Sequence, residues 1–160
     1  MSKKLYPKKS VYERRLYWYH VSTTLKNKYV NLVPWGQING INWGGGEPND
    51  KRICVAPSIE QCITAIPYIL ESTCNIYRTK SRLVATHPKG VFDSKITQEG
   101  WLHKPTSFVK IGIIKFTDVE KGLNIKHVIP EAASLTEPRR SGRVLKWWMK
   151  ANIKRFIKKA

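Results

Sequence analysis

A chain of 160 residues with 29 Lys and Arg against 11 Asp and Glu, a formal charge of +18, can bury a sizeable core but is too short for two full domains. A hydrophobic fraction of 41 % with six Trp, seven Tyr and four Phe excludes a disordered basic protein, and no run reaches the roughly 20 apolar residues that span a bilayer. Self-repulsion at this charge calls for an anionic partner, nucleic acid first and an anionic membrane surface second.

Along the chain, residues 1–15 form a basic arm, and no apolar stretch of the signal-peptide kind follows MSKKLYPKKS. The run LYWYHVS at 16–22 predicts a first strand, and 29–33 a second, ended by Pro34. WGQINGINWGGGEPND at 35–50 is loop chemistry, of a length that favours a functional loop. Next, 52–56 reads as a strand, Pro57-Ser58 as a corner and 59–66 as a helix, with Ser58 as N-cap and Gln61 completing a capping box. Further strands are expected at 75–79, 82–86 and 108–116, with a turn at Asp93 and Ser94. Residues 118–130 read as a turn and a short strand at 125–129, and 131–142 as a linker. The last stretch, 143–160, contains no breaker and reads as one helix. The expected organisation is an α+β core over 16–130 with a detachable basic helix.

Cys54, Cys62 and Cys74 form no C-x-x-C pair and are expected as reduced thiols in a cytoplasmic protein, bacterial or of an infected host cell. The four histidines, His20, His87, His103 and His127, lie at no ligand-like spacing, so no metal is expected. A P-loop is excluded because G-x-x-x-x-G-K-S/T does not occur, and Gly44, Gly45 and Gly46 read as a flexible loop. His20-Val21-Ser22 matches one half of a two-histidine phosphoesterase pattern, and no second copy follows.

The pieces LYWYHVS, RICVAPSIEQC, NIYRT and ITQEGWLHKPTSFVKIG together resemble the ADP-ribosyltransferase fold, particularly its small phage and bacterial members, over residues 16–114. That resemblance implies a split, strand-rich α+β core that binds NAD as substrate. A first-strand His or Arg holds the ribose and adenine side, a later Ser or Tyr seats the nicotinamide, and a Glu at the start of a late strand lies beside the bond to be broken. These roles fall on His20, on Ser58 or Tyr77, and on Glu99.

The residue types suit that chemistry. Breaking the nicotinamide bond builds positive charge on the ribose, which a carboxylate such as Glu99 stabilises. Gly100 after it would let the backbone approach a ligand closely. A neutral imidazole at His20 can donate to one ribose hydroxyl and accept from another. Arg52 could fork onto a pyrophosphate. Each has a plainer reading beside it: a turn carboxylate for Glu99, a packed strand histidine for His20, a strand-end cation for Arg52, a helix cap for Ser58, and a strand residue for Tyr77.

In the tail, Arg143, Lys146, Lys150, Lys154 and Lys158 recur every three or four residues, along one helix face. Arg139 and Arg140 precede them, and Trp147 lies within the stripe. Three uses compete. The stripe could bind phosphates while Trp147 stacks on a base. Trp148, Met149 and Phe156 could enter an anionic membrane. The apolar face could instead pack on the core. Two functions follow as expectations: an ADP-ribosyltransferase-like enzyme acting on or near nucleic acid, or a non-enzymatic nucleic-acid-binding protein, of viral origin or not.

Overall fold

The two longest β-branched and aromatic runs pair with each other at the centre of the fold. In the computed structural model, which describes residues 10–35, 51–65, 73–88, 94–124 and 138–160, these are β4 (Thr73–Thr79) and the ten-residue β6 (Thr106–Lys115). They run antiparallel, with β1 (Tyr19–Ser22) beyond β4 and β2 (Tyr29–Leu32) beyond β6, giving the order β1-β4-β6-β2. A second, two-stranded antiparallel sheet joins β3 (Ile53–Val55) to β5 (Gly100–Leu102). The helices are α1 (Ile59–Thr64), α2 (Ser94–Thr97), α3 (Phe116–Leu123) and α4 (Pro138–Lys150), so the class is α+β.

A bulge lets β6 serve two cores. Ile76 lies opposite Gly112 but Tyr77 lies opposite Lys110, so Ile111 is an extra residue in β6 and the strand's alternation flips there. Beyond the flip, Ile114 joins Cys74 and Ile76 under the helices, with Val119 and Trp148. Before it, Phe108 joins Tyr77 and packs with Ile53, Val55 and Leu102 of the small sheet and with Trp18. This is why FVKIGIIKF alternates only in part: the period of two is interrupted by one inserted residue.

The first helix forms as its cap chemistry requires. The Gln61 backbone N–H donates to Ser58 Oγ at 3.2 Å, and the Ser58 hydroxyl donates to Gln61 Oε1 at 2.8 Å. The helix ends at Thr64, and position 66 lies outside the described residues.

Several expectations are corrected. The first strand is shorter than 16–22: Leu16 makes only a single bridge to Leu83, and Trp18 is a buried core residue. Residues 82–86 form no strand, only isolated bridges at Leu83 and Thr86. Ser94 opens the short helix α2 rather than a turn, and Asp93 lies outside the described residues. Residues 116–123 are a helix, not a turn, because Phe116, Val119 and Leu123 share one apolar face and Asn124 ends it in the left-handed region at φ 53°. The basic arm ends earlier than residue 15, since Val11 is buried in a short helical turn. Residues 1–9, the loop over 36–50 with its glycines, the expected strand at 125–129 and the linker portion 131–137 lie outside the described residues.

The tail is corrected most. α4 begins at Pro138, inside the expected linker, and stops at Lys150. Asn152 turns the chain in the left-handed region at φ 51°, a tight helical turn follows over Ile153–Phe156, and β7 (Lys158–Lys159) pairs with β6 at Gly112 and Ile113. Asn tolerates that backbone better than most residues, so it was the breaker. Val144, Trp148 and Ile153 are buried in the core. The tail is therefore an integral part of the domain and not a detachable helix.

Candidate functional site

Among the described residues the main chains of the two sheets are joined at Tyr19 and Ala56, whose N–H groups donate to each other's carbonyls at 2.8 and 3.0 Å. Past that pair they diverge, because β1 continues along β4 while β3 turns to β5. Continued pairing would bring the Val21 N–H to the Cys54 carbonyl. The His20 imidazole occupies that role instead, with Nδ1 2.9 Å from Cys54 O.

A carbonyl only accepts, so Nδ1 carries the proton and Nε2 is left with a lone pair. Burial holds the His20 pKa below its ordinary 6.5, outweighing the opposing pull of the bond to Cys54. The ring is neutral at pH 7. Its donor is thus committed to the backbone, and what it offers a ligand hydroxyl is acceptance at Nε2.

Glu99 reaches the same residue from the other sheet. It directly precedes β5, in which Trp101 lies opposite Cys54, and the negative charge of its carboxylate acts on the Cys54 thiol. Arg52, two residues before Cys54 on the same strand face, acts on that thiol in the opposite direction through its positive charge. The Arg52 guanidinium lies 4.0 Å over the Trp101 ring, and Trp101 Nε1 donates to Glu99 Oε2 at 3.4 Å. Cys54 is exposed on one side, yet desolvation by the protein around its sulfur, and then the negative charge of Glu99, push the thiol up to about 12, so it stays protonated and is no nucleophile at neutral pH. His20, Arg52 and Glu99 therefore converge on Cys54, which sequence reasoning left as an ordinary thiol. All three cysteines are free, and Cys62 and Cys74 are buried.

The turn presenting Glu99 is wired to α1. Gln61 Nε2 donates to Gln98 Oε1 at 2.9 Å and to Ile96 O at 3.0 Å, while its own oxygen receives the Ser58 hydroxyl. Gln98 adopts φ 50°, which aims the chain from α2 into β5. On the far side, the Tyr12 hydroxyl donates to the Glu99 carbonyl at 2.9 Å, and its pKa rises to about 12 through burial and the Glu99 charge. Ser58 thus caps a helix and, through Gln61, positions the Glu99 turn.

Other candidates sit elsewhere. Tyr77 lies opposite His20 in the β1-β4 ladder, but its ring is fully buried and its hydroxyl donates to Asn27 O at 2.6 Å. Gly100 is required by packing: a Cβ there would meet Ala85 Cβ at 2.6 Å and Trp18 Cζ3 at 2.8 Å. The close approach is to the core, not to a ligand.

The tail's cations divide. Arg143, Lys146 and Lys150 are exposed on α4, whereas Lys154 of the short helical turn faces Glu60 at 3.5 Å and Lys158 of β7 faces Asp118 at 3.8 Å, both past the end of α4. The backbone of Arg139 and Arg140 belongs to α4, and their side chains lie outside the described residues. Trp147 is partly buried, edge-on to Trp148 with centroids 5.0 Å apart. Of the apolar anchors Trp148, Met149 and Phe156, only Met149 is exposed. Among the described residues no helix is long and apolar enough to cross a membrane.

Comparison of the chain with protein-family models, with curated proteins and with solved structures returns no match.

Proposed function

We propose that this chain is an NAD-dependent ADP-ribosyltransferase-like protein acting on or near nucleic acid, with NAD held where the two sheets diverge between β1 and β3. The observation that carries the reading is the meeting of His20 and Glu99 around Cys54, the imidazole hydrogen-bonded to its carbonyl and the carboxylate charge felt at its thiol. Residues far apart in sequence, singled out for complementary roles, share one small region of the fold.

In this reading, the bond from ribose C1′ to the nicotinamide nitrogen breaks and its electron pair leaves with nicotinamide. Glu99 stabilises the cation left on the ribose. His20 Nε2 accepts from a ribose hydroxyl, and Arg52, stacked on Trp101, offers its N–H groups to the pyrophosphate. The acceptor's nucleophile then bonds to C1′ and gives up its proton. Free thiols and the basic surface fit action in the cytoplasm of a bacterial or infected cell.

The test is nicotinamide release from NAD by the wild type, Glu99→Gln and His20→Gln. Loss of about a hundredfold or more with Glu99→Gln is expected, the scale of removing one electrostatic stabiliser. Equal rates in wild type and Glu99→Gln, or no release by either, sink the assignment.

A further inference from the structure

We infer that the exposed end of the main sheet is a binding platform for single-stranded RNA. The helical layer covers one face only where Cys74, Ile76 and Ile114 lie. Farther along, the same face continues beyond the residues packed on the helices, through the half-buried Arg78 of β4 and Val109 of β6 to the exposed Tyr29 of β2, which lie side by side in the ladder.

Two aromatic rings stand on this face, each flanked by cations. Tyr29 is 59 % exposed, with Lys28 Nζ 5.5 Å and Lys80 Nζ 5.3 Å from its ring centre. Tyr17 carries the Arg78 guanidinium at 4.2 Å and that of Arg82 at 5.2 Å. Among the described residues none of these four cations is paired with a carboxylate, and Arg78 Nε has no acceptor. Their charge is uncompensated on a chain of +18, so the complementary occupant is a polyanion.

Rings alternating with free cations on an open sheet are what successive bases and phosphates of a single strand require, and a paired duplex hides the base faces they would stack on. Between the rings' strands, the Ser107 hydroxyl donates to Asn31 Oδ1 at 3.4 Å, which leaves the Ser107 oxygen to accept and the Asn31 amide N–H to donate. A ribose 2′-hydroxyl is both donor and acceptor, and deoxyribose lacks it.

This surface deepens the proposed function by naming the nucleic acid as an RNA single strand, but its test involves no NAD, so either reading can fail alone. The experiment is fluorescence anisotropy of a labelled oligouridylate of about 12 nucleotides with the full chain, over a salt series. Tyr29→Ala, at an exposed position that leaves the fold intact, is expected to weaken binding about five- to a hundredfold. Lys28→Gln with Lys80→Gln is expected to reduce the log–log salt slope by about 1.4. The matching oligodeoxythymidylate is expected to bind more weakly. Unchanged affinity in Tyr29→Ala, equal or tighter binding of the DNA, loss only on neutralising Arg143, Lys146 and Lys150, or binding to phosphatidylserine vesicles with none to RNA would each overturn it.

Discussion

The indole of Trp148 in α4 lies 6.0 Å from the ring of Phe116 at the start of α3, and both side chains are buried to the last few per cent. A contact this deep makes α4 a structural member. Trp148→Ala should lower the unfolding free energy by about 3–5 kcal/mol, read from urea denaturation. Trp148 Nε1 has no hydrogen-bond partner among the described residues, so Trp148→Phe removes an unsatisfied donor together with some packing. It should cost less than about 1.5 kcal/mol. Equal losses in the two variants would refute this account.

Gly100→Ala tests the packing behind the Glu99 turn. A Cβ 2.6 Å from Ala85 Cβ and 2.8 Å from Trp18 has no flexible side-chain end to displace. Overpacking of this kind costs about 1–3 kcal/mol, a fall in Tm of roughly 3–10 °C for a chain of this length. An unchanged Tm contradicts it.

His20 gives stability a pH dependence of defined sign. Its folded pKa lies below the ordinary 6.5, so as pH falls the unfolded chain takes up the proton first. The contribution is intact above about 6.5, is lost as pH drops from there toward the folded pKa, and levels off below it. Relative to the wild type, His20→Gln should show a shallower stability loss between about pH 7 and 5, followed by thermal unfolding in a buffer series. Parallel curves for the two proteins would show that His20 titrates normally.

The Cys54 thiol reports on Glu99 without any substrate. With its pKa pushed up to about 12, it should alkylate far more slowly than a free thiol at neutral pH. Removing the negative charge in Glu99→Gln lowers that pKa, and each unit recovered raises the thiolate fraction about tenfold. Mass-resolved iodoacetamide labelling distinguishes Cys54 from the buried Cys62 and Cys74. No acceleration in the variant would place Glu99 away from the thiol.

Gln61→Leu should separate positioning from stability. It deletes the bonds that tie Gln98 and Ile96 to α1, at a cost of about 1–2 kcal/mol. The Glu99 turn then loses its side-chain anchor, and nicotinamide release should fall about tenfold or more with little change in KM for NAD. A fall in Tm with unaltered release would leave Gln61 a purely structural residue.

How much of this was legible follows from the range of the interactions involved. Ser58 and Gln61 are close in sequence, and their pattern predicted the cap that forms. The strands β4 and β6 were visible as apolar runs, but their pairing and the extra residue at Ile111 were not, because a bulge is defined only against its partner strand. The apolar face of the tail was evident at Trp148 but not at Val144, amphipathicity names no occupant, and the core took the face that a membrane could have taken. The helix at Phe116–Leu123 had the right spacing and lacked a side-chain cap, which let its Thr, Asp and Gly suggest a turn. His20 and Glu99 came from the resemblance and Arg52 from the chemistry of a guanidinium at a strand start. That Cys54 joins them depends on where β3 meets β1 and β5, a long-range fact that no local pattern encodes.

The short pairing of Lys158 and Lys159 with Gly112 and Ile113 bears on how copies of this chain meet one another. β2 occupies the flank of β6 from Thr106 to Val109, and β7 occupies part of the flank beyond it. β7 can come that close because residue 112 has no side chain; a Cβ would lie 2.4 Å from Ile157 Cγ2. A neighbouring molecule seeking to extend the sheet there encounters two ammonium groups before any open backbone. Lys158, which looked like the end of a ligand-binding stripe, acts with Lys159 as a guard against strand-to-strand aggregation.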